Sequence, residues 1–307
     1  MTAAEPLLLL AFDHRSSFRR DLLGISGEVT PSQRQRISEL KMLIYDGFAA
    51  ARADADSPTD YGVLVDEEYG SAVARAARRD GAVLAMSLER SGQAEFELEY
   101  GDDFAAHLDT FEPDYAKVLV RYNPDGDPEL NHRQSERLAR LSDWLGDHQR
   151  RFLFELLVPA TPKQADHYAD DPLGYDRELL PDLTIAAIDE LQTAGVAPSI
   201  WKIQGFESAE AYVQVVRQAQ AGGRTSTRCI VLGHGADAAR VESWLRLAAA
   251  TPGFDGFAIG RTIWFDPLAQ LLAGHITDDA AREWIRRGFA EMVQAYATTQ
   301  AHGSPVR

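Results

Sequence analysis

A single (β/α)₈ TIM barrel, an α/β fold with added C-terminal helices, is the architecture that three observations predict. Eight short apolar runs alternate with longer amphipathic stretches along the 307 residues. No low-complexity linker divides the chain, so the domain runs from 1 to 307. The first run is not followed by the Gly-x-Gly-x-x-Gly turn that an open, doubly wound sheet would place there.

The first strand is LLLLAF (7–12), too short an apolar run and too poor in basic flanks for a signal peptide. A helix follows at 31–51, with Pro31 in its first turn. Strand YGVLV (61–65) leads to a helix at 69–79, and AVLAM (82–86) to one at 102–111. AKVLVRY (116–122) precedes a helix at 131–148, and FLFELLV (152–158) one at 181–195, opened by Pro181. SIWKI (199–203) leads to 208–222, capped by Ser208, and CIVLG (229–233) to 237–250. GFAIG (256–260) is the last strand, followed by helices at 266–274 and 278–299, the latter capped by Asp278.

Composition narrows the function classes. Apolar residues make up 45% and charged residues 25%, as in ordinary globular proteins. A net charge of −16 argues against nucleic acid and anionic membrane as partners. No segment approaches the roughly 18 apolar residues of a membrane span, and the expected location is the cytoplasm. The single cysteine, Cys229, excludes an internal disulfide and a cysteine-based zinc site. The long C-terminal helices could serve an interface between copies in a homo-oligomer.

In a barrel, alternate strand residues point inward and chemistry collects at the strands' C-terminal ends. Asp13 shares a face with Leu7, Leu9 and Ala11, at the exit of strand 1. Asp66, Glu67 and Glu68 stand at the mouth of strand 2; Ser87, Glu89 and Arg90 at that of strand 3. Arg15 follows the first strand, and Arg121 shares a face with Lys117 and Leu119 on the fourth. Exit residues such as these are often merely solvated. Lys117, Glu155 and Lys202 are different, because apolar neighbours flank each inside a strand that must be buried. Two lysines with one carboxylate leave a charge uncompensated unless one amine is neutral. A lysine desolvated beside a second cation loses its proton more readily, and a neutral amine attacks a ketone to form an iminium. That chemistry needs a carboxylate to move protons, which Glu155 and Asp13 supply, and calls for no metal and no cofactor.

Strands 7 and 8 add Gly233, His234 and Gly235, then Gly260 and Arg261. Glycines admit backbone N–H groups to an anion, and these two loops are the usual phosphate site of the barrel.

Together LLLAFDHRSSF, LVDEEYG, YAKVLVRYNPD, FLFELLVP, WKIQGFE and GFAIGRTIW resemble the 2-deoxy-5-keto-gluconate-6-phosphate aldolases. Those occur alone or as the C-terminal half of a bifunctional inositol-catabolism kinase. The same blocks are similar, more distantly, to class I tagatose-bisphosphate and sulfosugar-phosphate aldolases. The resemblance, over about residues 7–268, implies Lys202 as the Schiff-base lysine, Lys117 as a second lysine and Glu155 as the acid/base. It further implies Asp13 as the strand-1 aspartate and Gly260 with Arg261 as phosphate ligands. The turn LGHGAD departs from the ketogluconate pattern and is closer to the small-residue turn of the tagatose and sulfosugar enzymes, which bears on substrate rather than reaction.

The expected substrate is a phosphorylated keto-sugar or keto-sugar acid, in the ketogluconate case split to dihydroxyacetone phosphate and malonate semialdehyde. Arg15, Arg90 and Arg121 are candidates for an acidic group, and Gln204 at the exit of strand 6 for the sugar. Two rivals stand beside this reading. One is a metal-dependent lyase or isomerase using Asp66, Glu68, His14 and Glu89; the other is a sugar-phosphate-binding barrel without turnover.

Overall fold

The computed structural model describes residues 5–55, 61–171 and 173–303. Eight parallel strands pair in chain order and close into a barrel, the last against the first. They are β1 (Leu7–Ala11), β2 (Tyr61–Val65), β3 (Val83–Ser87), β4 (Tyr115–Arg121), β5 (Phe152–Leu157), β6 (Ile200–Gln204), β7 (Arg228–Leu232) and β8 (Phe254–Ile259). Each predicted strand forms, with ends shifted by at most two residues and those of β2 unchanged.

The major helices follow the same pattern: α1 (Pro31–Ala53), α2 (Glu67–Arg79), α3 (Phe104–Phe111) and α4 (Pro128–Asp147). After β5 come α5 (Pro162–His167), α6 (Gly174–Glu178) and α7 (Leu180–Thr193), then α8 (Ala209–Ala219) and α9 (Ala238–Ala249). The chain continues through α10 (Arg261–Leu272) and α11 (Asp278–Gly303). Thr30 and Gln33 form a capping box at the start of α1, with Pro31 beside them.

The differences have local causes. A π-helical turn at Phe18–Leu22, α5 and α6 were not expected, because five or six residues show no helical period. The tenth helix begins at Arg261 rather than 266 and carries Pro267 inside it. Ser208 precedes α8 but makes no side-chain cap bond. At α11, Thr277 rather than Asp278 accepts from a first-turn amide, Ala280 N at 3.3 Å.

Strand alternation separates two cores. Leu7, Leu9, Ala11, Leu64, Ala85, Tyr115, Leu153, Ile200, Ile230 and Ala258 fill the barrel, while the opposite faces pack beneath the helices. The inner set plugs the lower barrel with apolar volume, so charged side chains on the same inward faces collect above it. No helix among the described residues is long and apolar enough to cross a membrane.

Candidate active site

Parallel register brings the central pair together. Glu155 on β5 lies directly beside Lys202 on β6, so their side chains rise in parallel from adjacent strands. Lys202 Nζ donates to Glu155 Oε1 at 2.7 Å. Lys117 pairs in register with Leu153, one pleat lower, and its long side chain reaches up from below. Its ammonium donates to Asp13 Oδ2 at 2.7 Å and Glu89 Oε1 at 2.9 Å, and lies 2.9 Å from Glu155 Oε2. Glu155 therefore bridges the two lysines through its two oxygens.

This geometry corrects the charge count made from the sequence. Three carboxylates, Asp13, Glu89 and Glu155, meet two lysines, so no unpaired positive charge forces an amine to be neutral. Burial works against the charge on Lys117, but Asp13, Glu155 and Glu89 outweigh it and raise its pKa above the ordinary lysine value. It is a fixed cation. Burial also opposes ionisation of Asp13 and Glu155, and there Lys117 wins and holds both carboxyls below their usual range. At Glu89 burial wins over Lys117 and Arg15, so this carboxyl is shifted upward.

Above the floor opens a cavity of about 350 Å³. Asp13, Arg15, Arg90, Arg121, Glu155, Lys202, Gly233, His234, Gly235, Gly260 and Arg261 line it, so the strand-end residues singled out in the sequence converge. Lys117 and Gln204 do not reach its wall, nor do Asp66, Glu67, Glu68 and Ser87. Lys117 is fully buried beneath. Gln204 is buried with its amide nitrogen unpartnered, and the following Gly205 packs where a Cβ would overlap the Trp244 ring. Gln204, expected at the sugar, is thus not among the residues that line the cavity.

One side of the cavity is suited to a phosphate. His234 (φ 46) and Gly235 (φ 73) form a left-handed turn after β7, tied to α10 by Thr262 Oγ1 donating to Ala236 O at 3.0 Å. Gly260 has its own packing reason, since a Cβ there would overlap the Ala11 carbonyl. Ile263 N and Trp264 N in the first turn of α10 donate to Gly260 O at 2.8 and 3.3 Å, which leaves the amides of Arg261 and Thr262 at the helix start to favour an anion. Arg261 is not free: Asp21, from the unexpected π-helical turn, lies 3.2 Å from it. On the other side, Arg15 is buried against Glu99 at 3.1 Å, Arg90 pairs with Glu97 at 2.7 Å, and Arg121 donates to Gln93 O at 3.1 Å.

A second buried pair was not foreseen. Lys41 on α1 and Asp66 at the exit of β2 are both fully buried and joined, and Lys41 also donates to His14 O at 3.1 Å. The signal was present, because Lys41 falls on the apolar stripe of Ile37, Leu40, Ile44 and Phe48. The metal-site rival loses its ligand set here. Asp66 is committed to Lys41 and to capping α2 at Tyr69 N (2.8 Å), while Glu68 lies 3.3 Å from Arg34 and Glu89 faces Lys117. Among the described residues, no three His, Cys, Asp or Glu side chains are grouped to hold an ion.

The family model described as "Uncharacterized protein conserved in bacteria (DUF2090)" matches residues 1–300. The chain belongs to the DUF2090 family. This DUF2090 protein is 25% identical, over 305 residues, to Tagatose 1,6-diphosphate aldolase 2 of Enterococcus faecalis, covering 93% of this chain and 86% of that one. Among solved structures, Cgl0159 of Corynebacterium glutamicum superposes with a TM-score of 0.60 at 18% identity, covering 96% of this chain and 88% of its own. An archaeal fructose 1,6-bisphosphate aldolase does so with a TM-score of 0.56 at 12% identity, covering 95% and 94%. The solved structures establish the shared barrel fold. The Enterococcus relative, aligned along nearly the whole of this DUF2090 chain, is itself an aldolase.

Proposed function

We propose that the protein is a class I aldolase that cleaves a phosphorylated keto-sugar or keto-sugar acid through an imine on Lys202. The observation that carries this reading is the 2.7 Å contact between Lys202 and Glu155 at the cavity floor. A buried amine beside a buried carboxylate, both opening on a cavity, is the arrangement that imine chemistry needs.

As the carbonyl carbon approaches, Lys202 passes a proton to Glu155 Oε1 and attacks. Glu155 returns that proton to the carbinolamine hydroxyl, water leaves, and an iminium forms. The regenerated carboxylate then takes the proton of the hydroxyl two carbons from the iminium carbon. The carbon–carbon bond breaks, an aldehyde departs, and the electron pair moves onto the iminium to give an enamine. Glu155 protonates the enamine carbon, and hydrolysis frees the ketone and Lys202. Lys117 keeps its charge throughout and orients Glu155 and Asp13 from below. The 233–235 turn, the start of α10 and Arg261 hold the phosphate, with Arg261 exchanging Asp21 for it.

The substrate tested first is 2-deoxy-5-keto-D-gluconate 6-phosphate, expected to give dihydroxyacetone phosphate and malonate semialdehyde. A bisphosphorylated ketose is the second candidate, favoured by the named activity of the Enterococcus relative. Incubation with dihydroxyacetone phosphate followed by borohydride should add the mass of the reduced adduct to the intact protein. Lys202→Met should abolish the adduct. No adduct on the wild type, or one that survives this substitution, sinks the imine reading.

A further inference from the structure

His14 takes no part in the scheme above, yet it is set among three groups that are themselves fixed. Its backbone carbonyl accepts from Lys41 at 3.1 Å, and Lys41 is held by Asp66. The ring stands edge-on to Trp264 of α10 with centroids 5.3 Å apart, and Trp264 Nε1 is anchored on Ala11 O at 2.9 Å. Its Nδ1 lies 3.9 Å from Asp13 Oδ1, the oxygen that Lys117 does not use. A buried ion pair contributes little net stability, so the Lys41–Asp66 pair is better understood through what it positions.

His14 also belongs to the cavity wall, on the side where α10 begins with Arg261. Nδ1 is buried and unpartnered while the side chain is 29% exposed, so the ring meets the cavity with its other edge. The Asp13 carboxylate that faces Nδ1 across 3.9 Å favours a proton on that nitrogen, the tautomer whose Nε2 is an acceptor. Burial pushes the imidazole down to about 4, so the ring is neutral near pH 7 and that acceptor is available.

We infer that His14 contacts the substrate: Asp13 fixes its tautomer, and Nε2 accepts a hydrogen bond from the hydroxyl next to the carbonyl on the phosphate-bearing half. Lys41 and Asp66 are positioning residues for that contact. The inference rests on the imine reading and narrows its substrate class to ketose phosphates that carry this hydroxyl.

The test compares dihydroxyacetone phosphate with hydroxyacetone phosphate, which lacks the hydroxyl, in the borohydride trapping assay. Wild type should half-saturate at about tenfold lower concentration with the hydroxylated probe, the worth of one such bond. His14→Phe keeps the packing on Trp264 and should bring the ratio to about one. His14→Gln, which offers an amide oxygen near the Nε2 position, should restore most of it. His14→Asn, without an acceptor at that reach, gives the same comparison should the Phe variant not fold. A preference unchanged in these variants, or absent in wild type, overturns the assignment of His14 while leaving the imine intact. Absence of any wild-type adduct overturns both.

Discussion

Two buried lysine–carboxylate groups lie side by side in this barrel, and they serve different ends. The Lys41–Asp66 pair is sealed between α1 and the exit of β2, both side chains without solvent contact. The Lys117–Glu155–Lys202 group draws on neighbouring strands, shares one carboxylate between two amines, and opens on a cavity. The first has one partner per charge and a spare hydrogen bond to a backbone carbonyl, so it holds a loop. The second has a proton donor and acceptor in contact with space for a ligand, so it can react. Burial of a lysine is therefore no sign of catalysis by itself. What separates the two cases is a shared carboxylate and an opening.

The sharpest way to break this contrast is to remove chemistry from one group and charge from the other. Glu155→Gln keeps the shape of the floor but cannot move protons, and should lower kcat by about 10²–10⁴-fold in an aldol-cleavage assay. A loss below tenfold would assign the proton work elsewhere. Lys41→Met should instead act on stability, costing about 3–5 kcal/mol in urea denaturation because Asp66 is left buried and unpaired. Adding Asp66→Asn, which removes the stranded charge and keeps an oxygen to cap α2, should recover part of that loss. If the single variant costs less than about 1 kcal/mol, the pair is not sealed as described.

Acid gives the mildest probe. Asp13 and Glu155 have folded-state pKa values below their ordinary ones, so their stabilisation is complete above the unfolded carboxylate range. It is lost as the pH falls through that range toward the folded values. Glu89 is shifted the other way and contributes the opposite sign, gaining on the folded side as protons bind. The net expectation is a fall in Tm below about pH 4. Asp13→Asn should flatten this limb, and an unaltered profile would mean that Asp13 is not held ionised by Lys117.

Much of the reactive group was legible in the sequence because it breaks a rule. A charged residue inside an apolar strand has few explanations, and Lys117, Glu155 and Lys202 each stand out in this way. Lys41 was missed for the converse reason: on an amphipathic helix a lysine is ordinary, and only its place on the apolar stripe betrays it. Glu89 was visible as an exit residue, but nothing local shows that it folds back onto Lys117, 28 positions away. Gln204 looked well placed at the exit of strand 6, yet the cavity wall passes it by.

By itself the sequence determined the barrel, because period-2 and period-3.6 apolar patterns are local consequences of strand and helix geometry. It also determined which strands carry charge inward. Only the tertiary structure decided how those charges are shared. Contacts at 2.7–2.9 Å depend on register between strands and on the length of each side chain, and neither is a local property. The balance of three carboxylates against two lysines, the pairing of Asp21 with Arg261 and the placing of the His14 ring between Trp264 and Asp13 all arise at that level.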